Sequence, residues 1–376
     1  MSKKILLVTD SYLPTISGVT TVVSNYAMEL KKQGCKVKIL APYHRDTPPS
    51  SELISVKGVT NPFRLDTVIP LSIFTIQSQV EDFAPDVVHI HSPSILGLWA
   101  RNWAQQTNTR LVITVHGIPS FLAKYLPFSR YYSSALTTLG WKYWKWFLNP
   151  SDVVLAPSQF IVRELKKLKL ASKIIKVPFW IEKYQLLPRI SSHEKNVQFL
   201  YFGRLDQDKN LRLLIKAWSM VPQTNKFLTI AGRSLKNQKN ALTTLSRKLG
   251  CEKTVSILGT VTEQQKMHLF SKTDFFVMPS NVEVQSITTL QAALSGIPVI
   301  VADAAALTEI VEASTQPHLK FKPKNARSLA KVISECCENC TQLRQGYTLH
   351  KSMKESFSAE GILETLVDEV YFPQEQ

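Results

Sequence analysis

Short, continuous apolar runs recur along the chain and are separated by longer stretches with helical spacing. They fall at residues 5–8, 37–41, 87–90, 111–115 and 153–156 in the first half, and at 197–202, 227–231, 255–258, 275–278 and 298–302 in the second. A strand with one wet face alternates apolar and polar residues, so unbroken runs of this length predict strands covered on both faces. Between them, apolar positions spaced three and four apart predict helices, including one running to about Lys32 and one over 326–340. Strand and helix alternating from end to end predict two doubly wound α/β units, each a parallel sheet between helices.

The length fits that division: 376 residues, 44% of them hydrophobic, exceed what one core usually organises. The expected boundaries are 1–182 for a first domain, 196–355 for a second, and 356–376 for a C-terminal helix packing back toward the first. The polar stretch 183–195, with Pro188 and Ser191-Ser192, reads as the connection. Open α/β sheets bind ligands outside the carboxyl ends of their strands, so a cleft between two facing units is the expected site.

Several strand ends carry chemistry. Phe202-Gly203-Arg204 leaves the first strand of the second half, and Lys209-Asn210 follow at the entry to a helix. Glycine permits a tight turn, and Arg204 and Lys209 can converge on one anion, such as a pyrophosphate leaving group stabilised without a divalent metal. A solvated basic turn would have the same composition. After the strand ending at Met278, Glu283-Val284-Gln285-Ser286-Ile287 leads into a helix starting near Ser286. Amides free at a helix start favour an anion, and a carboxylate beside them suits sugar hydroxyls. In the first half, Asp10-Ser11-Tyr12-Leu13-Pro14 leads to Gly18, whose turn can approach a phosphate or an acceptor hydroxyl. His89 and His91 share one strand end and His116 another; His89 reads as structural, directed into the sheet away from His91. Cys336, Cys337 and Cys340 fall in a helical pattern without a second ligand pair, which argues against a zinc site.

Glu283 and Gln291 stand eight apart and resemble the Glu-x7-Glu signature of the family-4 retaining glycosyltransferases, with glutamine at the second position. Gly203-Arg204 with Lys209 resembles the Gly-Arg-x4-Lys element of the same family, and Leu307-Thr308-Glu309 its Pro-Glu turn. The resemblance implies a GT-B fold, two Rossmann-like domains facing across a cleft, and a nucleotide sugar as co-substrate. It implies catalytic roles for His116, Arg204, Lys209 and Glu283, and donor contacts from Gly18, Gly203, Val261, Gln285, Ser286, Ile287 and Gln291. It implies neither a protein nucleophile nor a metal, the donor phosphate itself helping to deprotonate the acceptor. Departures are Gln291, Phe179-Trp180-Ile181 where Asn-Gly-Ile is usual, and Gly232-Arg233-Ser234 where Gly-Asp-Gly is common.

A net charge of +16 points to an anionic partner. Aromatic and basic residues interleave over Lys124, Tyr125, Trp141, Lys142, Trp144, Lys145 and Trp146, and Arg163, Lys166, Lys167, Lys169, Lys173 and Lys176 continue the basic character. Tryptophan favours the membrane interface and lysine anionic headgroups, so this run reads as a membrane and acceptor surface; an aromatic core helix with snorkelling lysines is the plainer alternative. No nucleic-acid module is recognisable. No apolar stretch is long enough to span a bilayer, and the run 5–8 is too short for a signal-peptide core, which predicts a cytoplasmic protein, peripheral at the inner face of the membrane.

The motifs resemble most the lipid-glycosylating subset of the family. The expected activity is transfer of a hexose from a UDP-sugar, chiefly UDP-glucose, to a lipid such as diacylglycerol. GDP-mannose as donor or a cell-surface polysaccharide as acceptor is the alternative. Two further readings are a catalytically weakened binding or scaffold subunit, and an epimerase on the same fold.

Overall fold

A computed structural model describes residues 2–15, 17–44, 46–47, 50–61, 64–70, 76–122, 129–180, 196–234, 238–357 and 359–373. The chain divides into two compact units: Met1–Trp180 together with Ala359–Gln376, and Ile181–Ser358.

The first unit is built on seven parallel strands: β1 (Lys4–Val8), β2 (Lys36–Pro42), β3 (Leu53–Val56), β6 (Val87–Ile90), β7 (Arg110–Thr114), β8 (Val153–Ala156) and β9 (Lys173–Lys176). Their order across the sheet is β3-β2-β1-β6-β7-β8-β9, with β4 (Gly58–Asn61) and β5 (Arg64–Pro70) forming a separate antiparallel pair. β1 pairs with β2 on one side and β6 on the other, so the winding reverses between β1 and β6. The central strands are buried along almost their whole length, as their unbroken apolar runs require. Helices α1 (Gly18–Lys32), α2 (Gln77–Phe83), α3 (Ile95–Gln106), α4 (Pro119–Leu122), α5 (Ser129–Leu148) and α6 (Gln159–Lys166) connect the strands.

The second unit repeats the plan with six strands in the order β12-β11-β10-β13-β14-β15. These are β10 (Val197–Phe202), β11 (Lys226–Ala231), β12 (Val255–Gly259), β13 (Phe275–Met278), β14 (Val299–Ala302) and β15 (Lys320–Phe321). Here the reversal lies between β10 and β13. Helices α7 (Leu211–Met220), α8 (Gln238–Lys248), α9 (Glu263–Ser271), α10 (Ile287–Leu294) and α11 (Leu307–Glu312) alternate with the strands. The helix expected over 326–340 is two helices, α12 (Ala326–Glu338) and α13 (Cys340–Gln345), meeting at Asn339, which leaves helical backbone at φ −112°. Cys336 and Cys337 are buried in this unit's core.

After α14 (Lys351–Ser356) the chain rejoins the first unit through α15 (Ala359–Glu364) and a π-helical segment, Thr365–Tyr371. Tyr371 is fully buried there, and the Arg110 Nε donates to the Val370 carbonyl at 2.6 Å.

Candidate active site

In each unit the winding reverses between two neighbouring strands, and the loops leaving their carboxyl ends diverge and open a crevice. In the second unit those loops follow β10 and β13, and they carry most of the residues picked out from the sequence. Gly203 turns the chain out of β10. Gly232, at the end of the adjacent β11, packs so closely that a Cβ there would lie 1.9 Å from the Gly203 carbonyl oxygen, so no larger residue fits. The Tyr201 hydroxyl donates to the Arg204 carbonyl at 2.6 Å and fixes the turn from beneath.

Beyond the turn, Lys209 Nζ lies 2.6 Å from Glu283 Oε1, joining the loops after β10 and β13. Asn210 Nδ2 adds a bond to the Pro279 carbonyl at 3.0 Å. Arg204 pairs with Asp206, and Asp208 lies 3.5 Å from both Arg204 and Lys209. The sequence reading expected two cations converging on a ligand anion. They do converge, but on the chain's own carboxylates, two cations among three acids. Burial opposes the charge of Lys209, yet Glu283 and Asp208 outweigh it and hold the ammonium above its usual range. The signal for Asp206 and Asp208 lay in the motif itself, as acids two and four residues after Arg204.

Ser286, before α10, takes a left-handed backbone at φ 62° and makes no side-chain cap to the helix amides; its hydroxyl lies 2.7 Å from Thr289 Oγ1 instead. The amides at the start of α10, from Ile287 on, therefore keep the anion-binding character expected of them. Gln285 and Gln291 are buried. Val261 follows Gly259, which turns the chain out of β12 at φ 80°.

The first unit's crevice lies at the ends of β1 and β6, where the His91 amide donates to the Val8 carbonyl at 2.8 Å. α3 starts so close to it that a Cβ on Gly97 would lie 2.0 Å from the Ser92 carbonyl oxygen. Gly18 opens α1, and Ser17 caps that helix by accepting from the Thr20 amide at 3.1 Å, with Ser11 tied to Ser17 at 2.9 Å. The Asp10 amide donates to Ser92 Oγ at 3.3 Å, and its carboxylate Oδ1 is buried without a partner. Burial pushes this carboxyl up to about 6, against the opposing hydrogen bond from Ser94. Asp10 was legible only as part of a loop motif.

The histidines form one buried cluster. His89 and His91 do not point apart: residues two apart on a strand share a face, and their rings stand 4.1 Å apart. His89 bridges Tyr371 (Nδ1 to the hydroxyl, 2.5 Å) and Thr114 (Nε2 to Oγ1, 2.6 Å), while His91 Nδ1 lies 2.9 Å from His116 Nε2. Burial brings the His116 pKa down to about 3 and holds His89 and His91 well below the usual range, so all three are neutral at neutral pH. The unusual turn at Phe179 and Trp180 supplies rings: Phe179 stacks on His116 at 4.8 Å and Trp180 on Tyr26 at 4.6 Å.

Of the expected membrane residues, Lys124 and Tyr125 lie outside the described residues. Trp144 is buried at 4% exposure, because it shares the inward stripe of α5 with Phe147 and Leu148. It belongs to the core and not to a membrane surface. Trp146 is half exposed beneath the Arg101 guanidinium, Lys142 and Lys145 are exposed, and Trp141 is partly so. Arg163, Lys166, Lys167, Lys169, Lys173 and Lys176 are all exposed on α6, the turn after it and β9.

The model of the family described as Glycosyltransferase Family 4 matches residues 16–181, and that of Glycosyl transferases group 1 matches 185–348. The chain belongs to the GT-B glycosyltransferases of this family-4 type. It is 23% identical over 323 residues to the sulfoquinovosyl transferase SQD2 of Arabidopsis thaliana, a match spanning 81% of this chain and 60% of that protein. With the alpha-monoglucosyldiacylglycerol synthase of Streptococcus pneumoniae it shares 24% over 317 residues, 79% of this chain and 70% of that one. Its fold matches that of HepE from Anabaena, solved with UDP and glucose, with a TM-score of 0.70 at 17% identity, over 97% of this chain and 99% of that one.

Proposed function

We propose that this chain is a retaining hexosyltransferase that moves glucose from UDP-glucose to the free hydroxyl of a membrane lipid, diacylglycerol foremost. The observation that carries the reading is the Lys209–Glu283 pair, which joins the two strand ends where a doubly wound sheet binds its ligand. Lys209 and Arg204 stabilise the charge growing on the diphosphate as the bond to the anomeric carbon breaks. Glu283, released from Lys209 by that diphosphate, accepts hydrogen bonds from the sugar hydroxyls. Gln291 takes the ribose, the start of α10 faces the diphosphate, and neutral His116 serves as a hydrogen-bonding group rather than an acid. The acceptor oxygen joins the anomeric carbon, the bonding pair leaves with the diphosphate, and the acceptor's proton passes to that leaving group.

The name of the Streptococcus pneumoniae relative favours a lipid acceptor, and the UDP and glucose bound by HepE favour the donor. The exposed lysines of α6 and β9 favour an anionic membrane surface, each worth about 1 kcal/mol near such a surface. The test incubates the protein with UDP-glucose or GDP-mannose and vesicles with or without diacylglycerol. An α-glucosyl lipid formed from UDP-glucose is expected, together with vesicle binding that weakens with salt and with Trp146→Ser. Donor turnover that ignores the lipid would remove the lipid acceptor, and no turnover of either donor would leave the scaffold reading.

A further inference from the structure

Asp10 stands at the carboxyl end of β1, one of the two strands between which the first unit's winding reverses. A buried carboxylate oxygen without a partner is costly, and proteins retain few of them outside functional sites. Everything around Asp10 holds it in one direction. Its amide is tied to Ser92 and its carboxylate to Ser94, and the loop behind it is pinned by the hydroxyls of Ser11, Ser17 and Thr20, with Ser11 and Thr20 3.2 Å apart. From α5, the Tyr143 hydroxyl is fixed on the Pro93 carbonyl at 2.9 Å.

The chemistry of that shell names the ligand. Among the described residues Asp10 has hydroxyl neighbours and no cation, so its free oxygen suits a neutral donor, unlike the cation-bearing crevice of the second unit. What the free oxygen lacks is a single donor, and a hydroxyl donating to a carboxylate makes one of the stronger hydrogen bonds available.

We propose that Asp10 Oδ1 seats the acceptor substrate, taking the hydrogen bond of the hydroxyl group that receives the sugar. Asp10 orients that hydroxyl and takes no proton from it. The inference rests on the glycosyltransferase reading but not on the acceptor being a lipid.

The test compares wild type with Asp10→Ala and Asp10→Asn, using UDP-glucose with dioctanoylglycerol, while calorimetry measures UDP affinity. Asp10→Ala is expected to raise the KM for dioctanoylglycerol about ten-fold, the scale for losing a hydrogen bond to a charged group. Asp10→Asn, a near-isostere that keeps the fold and an accepting oxygen, should raise it about three-fold. UDP affinity should stay within about two-fold of wild type, since no donor contact is removed. An unchanged KM in the alanine variant, or UDP affinity lost in parallel, overturns the inference. If wild type does not glucosylate dioctanoylglycerol, the lipid reading falls alone. The same comparison with octyl glucoside then decides the role of Asp10, equal KM values for the three proteins counting against it.

Discussion

At the carboxyl ends of β10 and β13, Lys209 and Glu283 stand 2.6 Å apart and Arg204 is shared between two aspartates; at the carboxyl ends of β1 and β6, one oxygen of Asp10 and Nε2 of His91 are buried with no partner. Both places are the winding reversals of similar sheets, yet one sets cations among its acids and the other holds an acid without a cation. The second unit is suited to a charged ligand: its ions are oriented by one another before the ligand arrives, and the ligand exchanges partners rather than ordering loose side chains. The first unit is suited to a neutral one. Its groups are held neutral by burial, or, in Asp10, kept short of one hydrogen bond, and that deficit lowers stability until a donor fills it.

The largest effect that bears on this contrast is the acid sensitivity of the first unit's buried histidines. A histidine whose pKa is lower folded than unfolded stabilises above its unfolded value near 6.5, and that stability is lost as pH falls toward the folded value. For His116, brought down to about 3, the difference amounts to up to about 4 kcal/mol. Asp10, held up to about 6, works in the opposite sense over the same window, so urea unfolding followed from pH 7 to pH 4 should show stability falling as far as the histidines outweigh it, and falling less in His116→Gln. An equal slope in the variant would mean that the cluster is hydrated and accessible to protons.

Next in size is the ion pair of the second unit. Lys209→Met leaves the mostly buried Glu283 without its cation and should cost about 3 kcal/mol of stability, whereas adding Glu283→Gln should restore most of that while transfer stays lost. If the single variant is as stable as wild type, the pair is a solvent-screened bridge and the contrast between the units disappears.

The smallest effect sharpens the donor side. A charged acceptor bonds a ribose hydroxyl about twice as strongly as an amide does, so Gln291→Glu should tighten UDP binding by about 1 kcal/mol. Weaker binding would place the ribose away from α10.

The strands that span a core were legible because burial on both faces demands unbroken apolar runs, and β6, β8, β10 and β13 begin and end where those runs do. β9, Lys-Ile-Ile-Lys, and the two-residue β15 escaped notice because outer strands need little apolar surface and leave little signal. At the site, the residue types at 204, 209 and 283 carried their chemistry openly. Their mutual pairing did not show, since it depends on two loops separated by 74 positions meeting in space. The histidine cluster was misjudged at His89 through strand geometry that the alternation rule itself contains. Asp10 was hidden for a different reason: what distinguishes it is a missing partner, which only three-dimensional packing can reveal.

The return of the chain to its first unit has a consequence for synthesis. Tyr371 bonds to His89, across 282 positions, and Val370 accepts from Arg110. Ribosomes release chains from the amino end at roughly 5 to 20 residues per second, and early domains generally fold first. Here the first unit waits for its last buried ring while the second emerges whole, so the later-made unit is free to finish first. For about 14 to 56 seconds the nascent protein carries His89 without its tyrosine, an interval in which a chaperone has an open surface to hold.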